Sequence, residues 1–380
     1  MLLTIVIFII TILFLMFIHE LGHFLMAKKF GIKVLEFGFG IPPRIFGKKI
    51  GETILSINWL PIGAFVRLLG EDEEPLAAKT WVLDKNRDFR SKGVGARIIV
   101  VVAGVVMNFL LAFLLFYIVL GFQGFKAKLP LLLDHQFVGV TQKNEVYVLV
   151  SEVAKGSPAE KAGINPGERI VAINDRLIAE SSELSEVAKS EGGKEVKLSL
   201  SSPDKDENRE VTIVPRKDPP AGEGPLGVAL SQIRAANLSY ETPLQKAFAG
   251  PLHAYNIVIY SGKITGNLIN KSFSQKSFGP VSTSVAGPVG ITSIADQILK
   301  TNNPALPYLD FVALISLNLA VFNLLPIPAL DGGRLFFLLI EAITRKRVHA
   351  QIERWVHTIG MVLLLTLTLL VTLSDLKKIF

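Results

Sequence analysis

Four stretches of this chain run for eighteen residues or more without a charged side chain: 1–18, 98–125, 311–330 and 355–374. Four such runs in 380 residues are more than a soluble core uses. As a helix, 20 residues at about 1.5 Å each span about 30 Å, the hydrocarbon thickness of a bilayer. Half the residues are apolar and 19% are charged, which excludes a disordered chain. The first run resumes after His19-Glu20, continues through Ala27 and closes at Lys28-Lys29. It has neither the basic start nor the small-residue cleavage site of a signal peptide, so it reads as a retained helix.

The net charge of +7 fits either a nucleic acid or a membrane surface, and its placement decides between them. Thirteen Lys and Arg fall in the 28–97 connection, among them Lys28, Lys29, Lys33, Arg44, Lys48 and Lys49. Arg334, Arg345, Lys346, Arg347 and Arg354 crowd the connection between the last two runs. Basic loops beside spans mark the cytoplasmic side, so the partner expected is the lipid bilayer and not nucleic acid. The long stretch 126–310 is then expected outside. Lys377-Lys378 oppose this, but with little weight against thirteen.

The expected fold class is a multi-pass α-helical membrane protein with four transmembrane helices, a membrane-associated β-hairpin loop and one inserted α+β domain. The spans are read as 1–30, 94–125, 305–333 and 355–374. Residues 31–93 carry short β-prone runs among many Gly and Pro, which suits hairpins near the membrane on the cytoplasmic side. In 145–230, runs such as EVYVLVSEV, RIVAIN, KEVKLSL and EVTIVP alternate with turn signals and one helical run, SSELSEVAKS. That is a small mixed domain, with KDPPAGEGP (217–225) read as its linker. An amphipathic helix is expected over 241–270, with a linker continuing to 304.

There is no cysteine, so disulfides and thiolate metal sites are excluded and the six histidines become informative. His19-Glu20-Leu21-Gly22-His23 is an H-E-x-x-H pattern. Spacing of four on a helix puts both imidazoles on one face, able to converge on one ion, with Glu20 placed to reach a water on it. Burying such a cluster at hydrocarbon depth is costly without a function. The alternative is an interfacial anchor at the helix end. A catalytic zinc wants a third ligand, and His135, His253, His349 and His357 are poorly placed for that. Asp331 is the better candidate, at the end of the third run, where Pro326 and Pro328 interrupt the helix. Its alternative role is to cap the short helix that follows.

The chain resembles the site-2 proteases, zinc intramembrane proteases, and within them the bacterial PDZ-containing regulators of intramembrane proteolysis. The resemblance covers nearly its whole length. It rests on His19-Glu20-Leu21-Gly22-His23, on Asn323…Pro326-x-Pro328-x-x-Asp331-Gly332, on Glu36-Phe-Gly-Phe-Gly40 with Pro61-Ile-Gly-Ala-Phe65, and on Ala103-Gly104-x-x-x-Asn108. Gly287-Pro288-Val289-Gly290 is also similar, whereas Val105 and Ala64 depart from the usual pattern. Ser157-Pro158-Ala159-Glu160 through Asn174 resembles a PDZ domain, a fold that takes an added strand or a free carboxylate in a groove. A stalk that only fills space is the alternative.

The resemblance implies Zn²⁺ held by His19, His23 and Asp331, with Glu20 as the catalytic base. It implies Asn108, Asn318 and Asn323, with Pro326 and Pro328, along the substrate path, and a β-loop presenting an edge to an extended substrate. The activity implied is zinc-dependent endopeptidase cleavage within or near the transmembrane segment of single-span membrane proteins, such as anti-sigma factors or remnant signal peptides. It further implies an inner or plasma membrane, with the PDZ domain outside and the active site towards the cytoplasm. Two rival classes were weighed. A metal transporter would spread ionisable residues along its spans, and a non-catalytic PDZ scaffold would not need Glu20.

Overall fold

The computed structural model describes residues 2–71, 85–202, 205–277, 279 and 286–379. The expected β-loop region, the inserted domain and the linker to 304 each include positions outside these residues. The chain divides into two compact units, one made of Met1–Val119 with His253–Phe380 and the other of Leu120–Leu252.

In the first unit, α1 (Leu2–Lys29) is the first apolar run. It stops at Gly31, whose φ of +66° suits glycine. The amides of Gly31 and Ile32 reach back to the carbonyls of Lys28 and Ala27, and Ile32 and Ala27 bury together, which closes the last turn. Two long strands follow, β1 (Val34–Ile50) and β2 (Thr53–Leu68). Both double back. Phe37 pairs with Val66 and with Leu55, so segment 34–39 lies between 53–57 and 64–68, while 46–50 pairs along the far side of 53–57. Among the described residues, segment 64–68 is therefore an edge.

Phe17 of α1 anchors this sheet by stacking on Phe39 at 5.2 Å and meeting Phe37 edge-on at 5.5 Å. Glu36, 3% exposed, has its burial offset by Arg44 and Arg67, which both bond its carboxylate. The outer segments are different in character. Ile45, Phe46 and Trp59 are 60–69% exposed. An aqueous sheet would hide such side chains, and this cluster suits lipid.

The second apolar run forms α2 (Val94–Phe122). Its Arg97 is 5% exposed and grips both oxygens of Glu341 at 3.0 and 2.5 Å. After the second unit come α6 (Ala249–Ser274), α7 (Pro288–Leu299), α8 (Ala305–Leu324), α9 (Asp331–Thr344) and α10 (Ala350–Ile379). Four helices, Leu2–Lys29, Val94–Phe122, Ala305–Leu324 and Ala350–Lys377, are long and apolar enough to cross a membrane. Asp375 of α10 accepts the amides of Gly287 and Gly290 at 2.8 Å each, capping α7 from a distant helix. The helix expected over 241–270 begins as a short α5 (Pro243–Ala247), opened by a Thr242–Gln245 capping box, and α6 then runs to Ser274.

The second unit is built on a seven-stranded antiparallel sheet. Its strands are β3 (Lys126–Pro130), β4 (Thr141–Val153), β5 (Arg169–Ile173), β6 (Arg176–Leu177), β7 (Val196–Ser202), β8 (Lys205–Ile213) and β9 (Val228–Ser239). The order is β3-β9-β4-β5-β7-β8, with β6 beside β5. The helices are α3 (Pro158–Lys161), capped by the Ser157 hydroxyl, and α4 (Ser181–Ser190). Ile170, Ile173, Leu184, Leu198 and Leu200 fill its core. The compact unit Leu120–Leu252 contains the expected inserted domain, 145–230, and extends past it at both ends. The Gly/Pro-rich segment 217–225 is not the exit from the domain but a loop inside it, and the chain returns as β9 to pair along all of β4.

Candidate metal centre and active site

The H-E-x-x-H spacing on α1 turns His19 and His23 to one side, with ring centroids 4.8 Å apart. Two glycines allow α2 to come against them. A Cβ on Gly22 would lie 2.3 Å from the Ala103 carbonyl oxygen, and one on Gly104 would lie 2.4 Å from His23 Nε2. No larger residue fits either place. Across the site, α8 ends at Leu324 and Leu325 turns extended, as Pro326 and Pro328 require. The turn is tight, since a Cβ on Gly332 would meet the Leu325 carbonyl oxygen at 1.9 Å. Its last residues are steadied by His357 of α10, whose Nδ1 accepts the Ala329 amide at 2.9 Å. Asp331 opens α9, but the capping position belongs to Leu330 and no side chain caps the helix. The Asp331 carboxylate is engaged elsewhere.

It meets the histidines. Asp331 Oδ2 is 2.8 Å from His19 Nε2 and 3.2 Å from His23 Nε2, and the two Nε2 atoms are 3.2 Å apart. Among the described residues these three form the one cluster of His, Asp or Glu able to converge on a metal, their ligand atoms within 4.8 Å of one another. His23 Nδ1 lies 2.8 Å from the Val100 carbonyl oxygen, which can only accept. The hydrogen therefore sits on Nδ1, and the Nε2 lone pair faces the cluster. His19 Nδ1 faces the Asn108 amide nitrogen at 3.3 Å.

Glu20 joins His23 and Asp331 in lining a cavity of about 270 Å³, whose wall includes Phe65, Val66, Arg67 and Leu68, the edge segment of the small sheet. Arg334, held by Glu71, closes another side. The remaining sequence-selected residues do not gather here. Asn318 and Pro326 are exposed, and Asn323 and Pro328 are half-buried. None of the four borders this cavity. Asn108, expected on the substrate path, is instead fully enclosed at 0% exposure against His19.

The family profile described as Peptidase family M50 matches residues 7–367. The chain belongs to that family. It is similar to zinc metalloprotease RasP of Geobacillus kaustophilus, 28% identical over 96% of each chain. It is also similar to the regulator of sigma-W protease RasP of Bacillus subtilis, 28% identical over 99% of each. The chain is thus a zinc metalloprotease of the site-2 protease type and an integral membrane protein. Among solved structures, the PDZ domain of the SdrC-like protein from Listeria monocytogenes matches 26% of this chain and 93% of that one. The identity is 21% and the TM-score 0.20, too low to carry an argument.

The donor set fits zinc. Four-coordinate zinc at about 2.0–2.1 Å from its ligands holds those atoms roughly 3.3 Å apart, close to the 2.8–3.2 Å found here. Two imidazoles and a carboxylate make three protein ligands, which leaves one position for chemistry. Sequence reading missed three contributors to this arrangement. The Val100 carbonyl has no residue signature, and the parts played by Gly104 and His357 depend on partners 81 to 85 and 28 residues away in the chain.

Proposed function

We propose that this protein hydrolyses peptide bonds of single-span membrane proteins at or within the bilayer. The observation that carries the reading is the shared cavity: Glu20, His23 and Asp331 line it together with residues 65–68 of the small sheet, and His19 meets His23 and Asp331 behind it. His19, His23 and Asp331 hold the zinc. Bound there, zinc supplies Lewis-acid polarisation of the scissile carbonyl and of the attacking water. Glu20 accepts the proton of that water and returns it to the leaving amine nitrogen.

A helical substrate hides its amides in its own hydrogen bonds, so it must open before it is cut. Among the described residues, segment 64–68 has a strand neighbour only along 34–39, and an extended peptide lying along its other side would exchange its lost helical bonds for ladder bonds. Asn318 and Asn323, on the exposed or half-buried face of α8, would hold freed backbone groups that find no water in the bilayer. The apolar face bearing Ile45, Phe46 and Trp59 dips into the lipid near that path.

The second unit is read as a PDZ domain on the outer side, and the metal cluster as lying towards the cytoplasmic side, from the thirteen basic residues of 28–97. Along β9, residues 228–233 have strand partners on one side only among the described residues, the Arg234 carbonyl already accepting the Leu131 amide on the other, and α4 packs beside β9. That groove has the form that receives an added strand or a chain end. The substrates proposed are anti-sigma factors or remnant signal peptides already shortened on the outer side.

The test is cleavage in proteoliposomes. A single-span reporter incubated with the zinc-loaded protein should yield fragments whose new termini, mapped by mass spectrometry, lie within or at the edge of the apolar segment. Cuts confined to water-exposed parts of the reporter would overturn the intramembrane reading.

A further inference from the structure

We propose that Asn108 is a positioning residue for the zinc site and not part of the substrate path: its amide oxygen accepts the hydrogen on His19 Nδ1 and so presents the His19 Nε2 lone pair to the metal. The inference rests on the reading of His19 as a zinc ligand.

An imidazole that gives one nitrogen to a metal must carry its hydrogen on the other, and that hydrogen needs an acceptor. For His23 the acceptor is the Val100 carbonyl, at 2.8 Å. For His19 the polar group at Nδ1 is the side-chain amide of Asn108, 3.3 Å away. Nothing else in the structure explains that amide. Asn108 is completely buried in an apolar helix, and burying an amide there is costly unless it is bonded. Its oxygen has no hydrogen-bond partner, and its contact with His19 is the one its side chain makes among the described residues. The backbone is held separately, since the Ser316 hydroxyl donates to the Asn108 carbonyl at 2.9 Å.

An amide has a donor end and an acceptor end of nearly the same shape, and its orientation follows from the partner. With the nitrogen facing His19, Nδ1 must accept and the hydrogen moves to Nε2, where it points at Asp331 and blocks metal ligation. With the oxygen facing His19, Nδ1 donates and Nε2 is free. Because the far end of the amide has no partner in either orientation, one end stays unpaired both ways, and the demand of a metal for the His19 Nε2 lone pair selects the second. Asn108 therefore does for His19 what a main-chain carbonyl does for His23.

The experiment measures zinc affinity of purified full-length protein by competition with a chromophoric chelator. It also records the tautomer of His19 in the zinc-loaded protein by histidine-selective ¹⁵N NMR. Asn108→Leu keeps the volume and removes the acceptor, and it should weaken zinc binding by about 10- to 100-fold, the usual effect of losing such a partner. Asn108→Asp, which can only accept, should bind zinc at least as tightly as the native protein. In the native protein His19 should carry its hydrogen on Nδ1. Ser316→Ala is the control for packing and should leave zinc affinity unchanged while lowering the thermal midpoint. The proposal is overturned if Asn108→Leu binds zinc within threefold of native, or if Asn108→Asp binds it more than tenfold worse. Should Asn108→Leu fail to fold, the Asp variant and the NMR tautomer decide alone. A native-like zinc affinity in His19→Ala would instead overturn the ligand assignment on which this inference rests.

Discussion

Gly104→Ala separates the metal site from the fold more sharply than any ligand deletion. In an exposed helix, glycine to alanine gains up to about 1 kcal/mol. Here the added Cβ would lie 2.4 Å from His23 Nε2 and 2.8 Å from His19 Cε1, where ordinary contact begins at 3.4 Å. His23 Nε2 must then retreat by about 1 Å (3.4 − 2.4) or α2 must move away from α1. Overpacking of this kind costs about 1–3 kcal/mol, so net stability falls by about 0–2 kcal/mol and the protein still folds. A zinc site tolerates displacements of only about 0.2 Å. Zinc affinity should therefore fall by at least about 100-fold, equivalent to about 2.8 kcal/mol. Chelator competition on detergent-purified protein measures the affinity, and a thermal unfolding curve of the metal-free protein measures the fold. Zinc bound within threefold of native by a well-folded Gly104→Ala would refute the argument that Gly104 sets the imidazole positions.

Asp331→Ala should lower zinc occupancy as far as His19→Ala or His23→Ala does, and full occupancy by metal analysis would show that the third ligand lies elsewhere. An engineered cysteine at Ser181 should be labelled by an impermeant maleimide on intact cells and one at Ser91 should not; the chain has no native thiol to interfere, and the reverse pattern would invert the topology. Excising the whole sheet, 126–239, with a flexible bridge should leave zinc binding intact and let cleavage extend to substrates with bulky outer domains. Continued refusal of those substrates, with normal cutting of trimmed ones, would reduce the second unit to a stalk.

Much of this was legible in the residues, wherever the signal is local. The charge-free runs became the four long apolar helices, and SSELSEVAKS is α4 from end to end. Asp331 is expected beside the histidines because a catalytic zinc needs a third ligand and an acid at a proline break can point inward. What could not be read depends on distant pairing. The doubling of β1 and β2 rests on Gly38 and Gly40, where a Cβ would strike Phe65 and the Leu60 carbonyl, and on Asn58 bonding back to Phe39 and Gly40. Residues 217–225 read as the linker of the inserted domain because a Gly/Pro-rich segment looks the same as a linker or as a loop, and β9 follows it in the same sheet. Asn108 is expected on the substrate path through the family resemblance alone, and the neighbour its side chain has in the structure is an imidazole 89 residues earlier.

The most direct test of the central claim compares the native protein with Glu20→Gln, each assayed for zinc content and for cleavage of one single-span reporter in the same proteoliposomes. The amide keeps the shape of the carboxylate and cannot take up the proton of the attacking water. Both proteins should carry one zinc per chain, and only the native one should cut. Cleavage by metal-loaded Glu20→Gln at more than a small fraction of the native rate would contradict the account.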